Sequence, residues 1–267
     1  MSRFSWDNEW RLENLKEESF LTKHIMDKTP GWVSFIREKV PSSLQRTLES
    51  AFGKAFHMVF QKGTAIIEKT YRKDEQKSIY KQSDKKMNRE GFSVSGVKRF
   101  DRQAKMTIRK NLIISLFEGI ALGLCGMGIP DIPIFVSVML KSIYEIAISF
   151  GFGYTSEKEK LFILKLIDAS LKSGDVLRKK NEEINELIDA MSNGEELDEG
   201  LLRVMVVRQT DGAANALSRE LLYGKFIQGK AIIGLIGGVN DIVCLKRITD
   251  YAVLKYKRRF LIEHRVD

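Results

Sequence analysis

The residues best suited to chemistry are acidic and amide side chains at the ends of two apolar stretches, one mid-chain and one near the C-terminus. They are Glu118, Asp131, Asn240 and Asp241. If the two stretches pack together, these side chains converge, as a carboxylate pair or an oxygen-rich cation site requires. The alternative is structural: Asp131 and Asn240 or Asp241 cap helices, and Glu118 pairs with a basic residue. The sequence therefore offers one candidate polar site and an ordinary structural explanation for it.

No residue spacing typical of a metal or nucleophile site is present. His24, His57 and His264 lack ligand spacing, and Cys125 and Cys244 lie in apolar surroundings without a CxxC pattern. HExxH and serine-elbow motifs are absent too. Two free apolar cysteines are typical of a reducing, cytosolic compartment. We predict no metal and no cofactor; an enzyme is not excluded, but the sequence favours a protein without catalytic activity.

Glycines recur in both apolar stretches in a similar pattern. In each stretch they precede an apolar residue, a turn residue, Asp, Ile and then a helix, with one residue fewer in the second copy. Glycine lowers helix propensity by roughly 1 kcal/mol relative to alanine, and close approach of two backbones is the usual reason to accept that cost. We therefore expect the two glycine-rich segments to pack against each other. The structural glycines are Gly119, Gly123, Gly126, Gly128, Gly234, Gly237 and Gly238.

A phosphate-binding loop is the functional alternative for these glycines. Such a loop at a helix N-terminus normally follows a β-strand in a dinucleotide fingerprint, or reads GxxxxGK[ST]. The segment before the first glycines is predicted to be helix, and the second stretch lacks the motif. Helix packing is the better interpretation.

Apolar periodicity through the rest of the chain predicts an all-α protein. Only four prolines interrupt 267 residues, and no confident strand pair is visible. A helix is predicted to begin at Ser173-Gly174-Asp175 and to end before the Asn193-Gly194 turn. Leu201–Val207 is ambiguous between helix and strand, and its surroundings favour helix. Other predicted helices cover about Asp7–Lys23, Trp32–Lys39, Ser42–Tyr71, Asp131–Phe150, Ser156–Ser173, Gly212–Phe226 and Asp241–Glu263.

We predict an N-terminal helical arm over residues 1–30 and one multi-helix domain over residues 31–267, with the two glycine-rich helical segments packed centrally. Within the domain, residues 72–92 contain almost no apolar side chains. Such a segment cannot bury enough surface to offset its ordering entropy. It is therefore predicted to be an exposed charged loop or linker, or a frayed helix.

Positive charge is concentrated in one part of the sequence. The formal net charge is +9, and the segment from Lys54 to Lys110 holds 16 basic and 6 acidic residues, which accounts for about all of it. An anionic partner is indicated, because each Lys or Arg near an anionic leaflet contributes about 1 kcal/mol. The candidate membrane or anion contacts directly before the first apolar stretch are Lys98, Arg99, Arg102, Lys105, Arg109 and Lys110. Nucleic acid is disfavoured, because aromatic residues are sparse there, and a solvated helical face remains the alternative without a partner.

Neither apolar stretch is predicted to span a membrane, because a spanning helix needs roughly 20 apolar residues. Glu118 and the Pro130-Asp131 turn divide the first stretch, and Lys230 and Asp241 bound the second. A re-entrant or interfacial insertion stays open. The charged N-terminus lacks the apolar region of a signal peptide.

Two parts of the sequence carry a family resemblance. Gly119–Tyr154, with its glycines, an Ile-Pro-Asp-Ile-Pro block and an apolar helix ending in Phe150-Gly151-Phe152, resembles the bacterial EcsC family. The C-terminal glycines, followed by Asn240 and a helix with Arg258-Arg259-Phe260-Leu261, resemble that family's ending. The resemblance covers most of the chain from about residue 30, but not the Lys-rich segment Arg72–Gly91. It implies an accessory or membrane-associated protein, because the family is linked to an ABC transporter and has no established catalytic activity; it transfers no functional residue.

The sequence thus predicts a non-enzymatic accessory protein, cytoplasmic and peripheral to the inner face of the cell membrane. Its expected partner is an anionic membrane surface or a membrane complex such as an ABC-type transporter. The first alternative is a soluble enzyme or small-ligand-binding protein with a polar site near Glu118, Asp131 and Asp241. The second is a nucleic-acid-binding protein.

Overall fold

The structure is a computed structural model that describes residues 2–25, 42–69, 73–90, 96–106, 131–194, 198–227 and 237–265. Within these ranges the regular structure is helical and contains no strand, which confirms the predicted all-α class. The helices are α1 (Ser2–Ile25), α2 (Ser42–Met58), α3 (Thr64–Lys69), α4 (Lys73–Glu90), α5 (96–106), α6 (Asp131–Ser149), α7 (Glu157–Ser170), α8 (Gly174–Ser192), α9 (Glu199–Ile227) and α10 (Gly237–Glu263). A π-helical turn, Val59–Gly63, joins α2 to α3.

Two helices, α6 and α10, form the centre of the protein. Helix α6 packs against α2, α4 and α10, while α10 also contacts α1, α7, α8 and α9. As a result, every side chain from Tyr251 to Lys257 is buried. From Met139 to Phe150, every side chain except Lys141 is buried as well. Helices enclosed on all sides bury residues around their whole circumference rather than along one stripe.

Helix α6 is also the one described helix that is long and apolar enough to cross a membrane. Its window Ile132–Ser149 has 18 residues and a mean hydropathy of 1.6. However, 67% of that window is buried inside the protein. Core helices of soluble proteins can have the same length and composition. Helix α6 by itself therefore does not show whether it lies in a membrane or in a protein core.

The boundaries around α7, α8 and α9 follow local signals that were visible in the sequence. Ser156 caps α7 by accepting a hydrogen bond from the Glu159 N–H at 3.2 Å, because a first-turn N–H has no partner within the helix. Ser173 occupies the N-cap position of α8, and Gly194 ends it in the left-handed conformation at φ +73°. Leu201–Val207 is helical as predicted, but α9 continues without a break to Ile227.

Of the two predictions for residues 72–92, an exposed loop or linker and a frayed helix, the loop or linker is wrong, because the structure has helix α4 over Lys73–Glu90. Tyr80 packs on Phe100 with ring centroids 5.4 Å apart, and Met87 is buried. Gln76 donates a hydrogen bond to Glu145 of α6 at 3.1 Å. A few anchoring side chains, spaced along the helix, are therefore enough to hold this polar helix on the core. The average composition of the segment does not reveal such anchors.

The predicted N-terminal arm contains α1, which lies against α8 and α10. Near its start, Trp6 Nε1 donates a hydrogen bond to the Leu261 carbonyl at 2.8 Å. The boundary at residue 30 stays a prediction, because residues 26–41 lie outside the described part of the chain.

The predicted contact between the two glycine-rich segments also stays a prediction. Gly119, Gly123, Gly126, Gly128 and Gly234 lie outside the described residues. Gly237 and Gly238 are described only as the first backbone positions of α10.

A glycine with a demonstrable steric role ends α6. Gly151 has φ +90°, and a Cβ atom added there would overlap the ring of Tyr80. For Gly151→Ala we expect the free energy of unfolding to fall by about 2–5 kcal/mol, because backbone strain of about 1–2 kcal/mol adds to an overpacking cost of about 1–3 kcal/mol. Urea denaturation measures this difference.

Two other glycines separate these contributions. Gly174 has φ +62° with no atom within 4 Å of the added Cβ, so Gly174→Ala reports the backbone strain alone. Gly153 has neither a positive φ nor an atom within 4 Å of the added Cβ, so Gly153→Ala should change stability little. A Gly151→Ala variant as stable as Gly174→Ala would contradict the packing of Tyr80 against this turn.

Candidate functional site

The polar site predicted from sequence is not tested by the structure. Glu118 lies outside the described residues. For Asp131, Asn240 and Asp241 the backbone positions are described, in α6 and α10, but not the side chains. Their convergence remains a prediction.

The predicted basic contacts on α5 lie on one side of the helix. Val97, Phe100 and Ala104 are buried. The opposite side carries four exposed cations: Lys98, Arg99, Arg102 and Lys105. Their presence at the surface follows from helical spacing, since the buried residues recur at i+3 and i+4. Arg109 and Lys110 lie outside the described residues.

A second row of cations runs along α4. The sequence analysis did not identify this row, because it predicted a loop or a frayed helix there. Lys77, Lys81, Lys85 and Arg89 are exposed and lie four residues apart, so they form a line along the helix. The Tyr80–Phe100 contact places α4 beside α5, and Phe100 packs on Phe260 of α10 at 5.0 Å. We call these eight residues of α4 and α5 the basic face.

Buried ion pairs join α1 to α10, and the sequence analysis did not anticipate them. Glu9, Glu13 and Glu17 lie one turn apart on α1 and are only 3%, 2% and 7% exposed. Lys257 Nζ lies 3.0 Å from Glu9 Oε2 and 3.2 Å from Glu13 Oε2. Since a buried charge without a partner costs several kcal/mol, these contacts fix α1 on α10. We call the three glutamates, with Lys255 and Lys257, the buried charge cluster.

Glu17 is the best satisfied member of this cluster. Its Oε2 lies 2.9 Å from Lys255 Nζ, and its Oε1 accepts hydrogen bonds from Asn181 Nδ2 at 2.8 Å and Asn185 Nδ2 at 3.0 Å. Burial raises the pKa of Glu17, but Lys255 and the two amides outweigh that effect and hold the pKa below its usual value. Glu17 is therefore a structural anion.

Lys255 is fully buried and less well compensated. Burial lowers its pKa to about 8, and Glu17 offsets only part of that effect. Arg258, whose NH1 lies 3.6 Å from the same Glu17 Oε2, lowers the pKa of Lys255 further by charge repulsion.

Glu13 is the least satisfied member of the cluster. Glu9 and Glu13 share Lys257, and within the described residues the second ion pair of Glu13 is with the half-exposed Lys16, whose Nζ is 3.4 Å from Oε2. Burial raises the pKa of Glu13 despite both lysines. Its second oxygen, Oε1, is buried without a hydrogen-bond partner in the described part of the chain.

A cleft of about 260 Å³ opens beside Glu13, between α1, α5 and α10. Lys16, Lys23, Asp101 and Lys105 contribute polar groups to its lining, and Phe20, Val253 and Leu254 contribute apolar ones. A concave site with a few polar groups and a perturbed carboxylate is the usual form of a ligand pocket. Among the described residues, no group of three His, Cys, Asp or Glu side chains could hold a metal ion.

Sequence comparison covers nearly all of these elements. The model of the EcsC protein family matches residues 8–261. The chain belongs to the EcsC protein family. The match includes α1 from residue 8 onward, with all three glutamates of the buried charge cluster, whereas the resemblance seen in the sequence alone began near residue 30.

One curated relative is Protein EcsC of Bacillus subtilis (strain 168). It is 23% identical to this EcsC-family protein over 172 residues, which cover 62% of this chain and 61% of the relative. The match thus spans less than two thirds of the relative's length. No solved structure gives a significant match.

Removing the shared cation tests the buried charge cluster of this EcsC-family protein. Lys257→Met leaves Glu9 and Glu13 buried without their common partner, so we expect the free energy of unfolding at pH 7 to fall by about 3–5 kcal/mol. Lys246→Met is the matched control on α10, because Lys246 pairs with Asp250 at the surface, where such pairs contribute about 0–1 kcal/mol. Equal losses in the two variants would contradict a buried cluster.

Lys255 predicts a pH dependence of stability. Between about pH 8 and pH 10 the unfolded chain still holds the Lys255 proton, while the folded protein has lost it, so stability rises with pH, by on the order of 2 kcal/mol. Burial raises the pKa of Tyr80, Tyr144, Tyr251 and Tyr256 in the folded protein. The unfolded chain ionises these tyrosines near pH 10, which opposes the rise at the upper end of the window. The contribution of Lys255 is therefore the difference between the wild type and Lys255→Met. Urea denaturation across the window should show the rise in the wild type and in Lys179→Met, an exposed lysine of α8. A Lys255→Met variant with the same rise would contradict the assignment.

Proposed function

We propose that this EcsC-family protein is a non-enzymatic accessory protein that binds peripherally to the anionic inner face of the cell membrane. The observation that carries the proposal is the basic face, two rows of exposed cations on the neighbouring helices α4 and α5. The protein binds either the bilayer alone or a membrane complex. An ABC-type transporter is the proposed complex because of the family resemblance.

Electrostatics supports this surface as the contact. Each cation near an anionic leaflet contributes about 1 kcal/mol, so a face of eight is sufficient for reversible binding even when salt screens part of the attraction. The sequence continues from α5 through Arg109 and Lys110 into the apolar stretch after Asn111. Cations placed directly before apolar residues are typical of segments that lie in a membrane interface.

Liposome co-sedimentation tests the proposal. The wild type should pellet with phosphatidylglycerol vesicles at low salt and stay in the supernatant with phosphatidylcholine vesicles. A variant with four cations of the basic face neutralised, two on each helix, should bind the anionic vesicles at least 30-fold more weakly, because four contributions of about 1 kcal/mol are lost before screening. The substitutions are Lys77→Gln, Lys81→Gln, Lys98→Gln and Arg102→Gln.

A matched variant controls for net charge. It neutralises four exposed cations of α2, α8 and α9, namely Lys54→Gln, Lys179→Gln, Arg203→Gln and Arg208→Gln. This variant should bind anionic vesicles like the wild type. The proposal fails if the wild type ignores anionic vesicles at low salt or if both variants lose binding equally. Tighter retention on DNA or RNA, with a steep salt dependence, would favour the nucleic-acid alternative.

A further inference from the structure

The carboxylate of Glu13, which is among the residues that line the cleft, lacks one hydrogen-bond donor. Glu13 is 2% exposed and its Oε1 has no donor among the described residues. Lys257 does not supply one, because its Nζ contacts the Oε2 atoms of Glu9 and Glu13. A buried acceptor left in this state costs about 1–3 kcal/mol, and more when charged. This carboxylate therefore suits a group that brings both a positive charge and N–H donors.

An ammonium group already approaches this carboxylate from the side of the cleft. Lys16 lines the cleft, and its Nζ lies 3.4 Å from Glu13 Oε2, longer than a good charged hydrogen bond. Its side chain is 46% exposed, so it can rotate away at little cost. Lys16 thus shows that an ammonium is accommodated here and leaves room for a better placed one.

The other charged side chains of the lining disfavour a ligand that is only cationic. Lys23 and Lys105 line the cleft together with Asp101 and Asp250. Lys105 pairs with Asp101 at 2.9 Å and Asp250 pairs with Lys246, while Lys23 makes no ion pair within the part of the chain that the structure describes. A second cationic group on the ligand would meet Lys23, whereas an anionic group would be attracted to it.

The walls and the size limit the ligand further. Phe20, Val253 and Leu254 supply the apolar surface of the cleft. Its volume of about 260 Å³ is slightly below the usual range of small-molecule pockets, roughly 300–1,000 Å³. The ligand is therefore compact, with a short aliphatic link between its two charged ends.

We propose that this cleft binds a small zwitterion, with the primary ammonium of the ligand on Glu13 and its phosphate or carboxylate at Lys23. Amino acids and phosphoethanolamine share this chemistry, and phosphoethanolamine is also a lipid headgroup. The cleft shares Lys105 with the basic face, but neither end of the ligand is assigned to Lys105, and the inference does not rest on membrane binding.

Isothermal titration with soluble probes tests the site on the full-length protein. Phosphoethanolamine and β-alanine represent the phosphate and carboxylate forms. Phosphocholine carries the same charges as phosphoethanolamine but no N–H donor, so it should bind at least tenfold more weakly, the loss expected for one charged hydrogen bond. The inference is overturned if the wild type binds neither phosphoethanolamine nor β-alanine better than phosphocholine.

Three variants assign the ends of the ligand. Glu13→Gln should weaken phosphoethanolamine binding at least tenfold and remove the preference over phosphocholine. Glu18→Gln is the matched control on α1, because Glu18 is exposed, pairs with Arg178 and does not line the cleft, so this variant should bind like the wild type. Lys23→Gln should weaken phosphoethanolamine but not ethanolamine, which lacks the anionic end. Wild-type affinity in a folded Glu13→Gln variant would refute the assignment.

Vesicles distinguish the two sources of the ligand. If the natural ligand is a headgroup, the protein should pellet with neutral phosphatidylethanolamine–phosphatidylcholine vesicles and Glu13→Gln should not. If it is a soluble molecule, these vesicles should leave the protein in the supernatant while the soluble probes still bind. Either pattern supports the site, and neither depends on anionic lipid.

Discussion

Charge burial on α10 constrains the whole arrangement. This helix is enclosed by five others, yet it carries Lys255, Lys257 and Arg259 at positions where water cannot reach them. Each needs a carboxylate, because an isolated buried ion costs several kcal/mol. Arg259 forms two hydrogen bonds with Glu159 of α7, at 2.9 and 2.7 Å, while the two lysines use the glutamates of α1. The positions of α1 and α7 around α10 therefore follow from where these cations point.

The same contacts explain why α1 has one register. Glu9, Glu13 and Glu17 form a single row, and a shift of one residue would rotate that row by about 100° away from α10. Burying ion pairs is an inefficient way to gain stability, since apolar residues of similar size often perform as well or better. We interpret the buried charge cluster as specifying the position of α1. In that role, the imperfectly paired Glu13 is the member least required for structure.

Sequence reasoning succeeded where the signal is local. Apolar spacing predicted α7, α8 and the C-terminal part of α10, and Ser156 and Ser173 predicted two helix starts. It failed for α4, where Tyr80 and Met87 anchor a helix of very polar composition. The buried charge cluster was visible only as acids four residues apart, a pattern typical of solvated faces. Its partners lie more than 160 residues away in the chain, so nothing local identifies them.

The apolar helix α6 and the cations of α4 and α5 both make the sequence resemble that of a membrane-associated protein. These two features have separate physical origins. The apolar composition of α6 is explained by its place in the core, where two of its polar side chains have internal partners: Ser149 donates a hydrogen bond to the Glu145 carbonyl at 2.8 Å, and Gln76 donates one to the Glu145 carboxylate. The exposed cations of α4 and α5 are not needed to hold these helices on the core, because buried residues such as Met87 and Phe100 do so. An account of membrane association for the described part of the chain must therefore rest on the cations, not on α6.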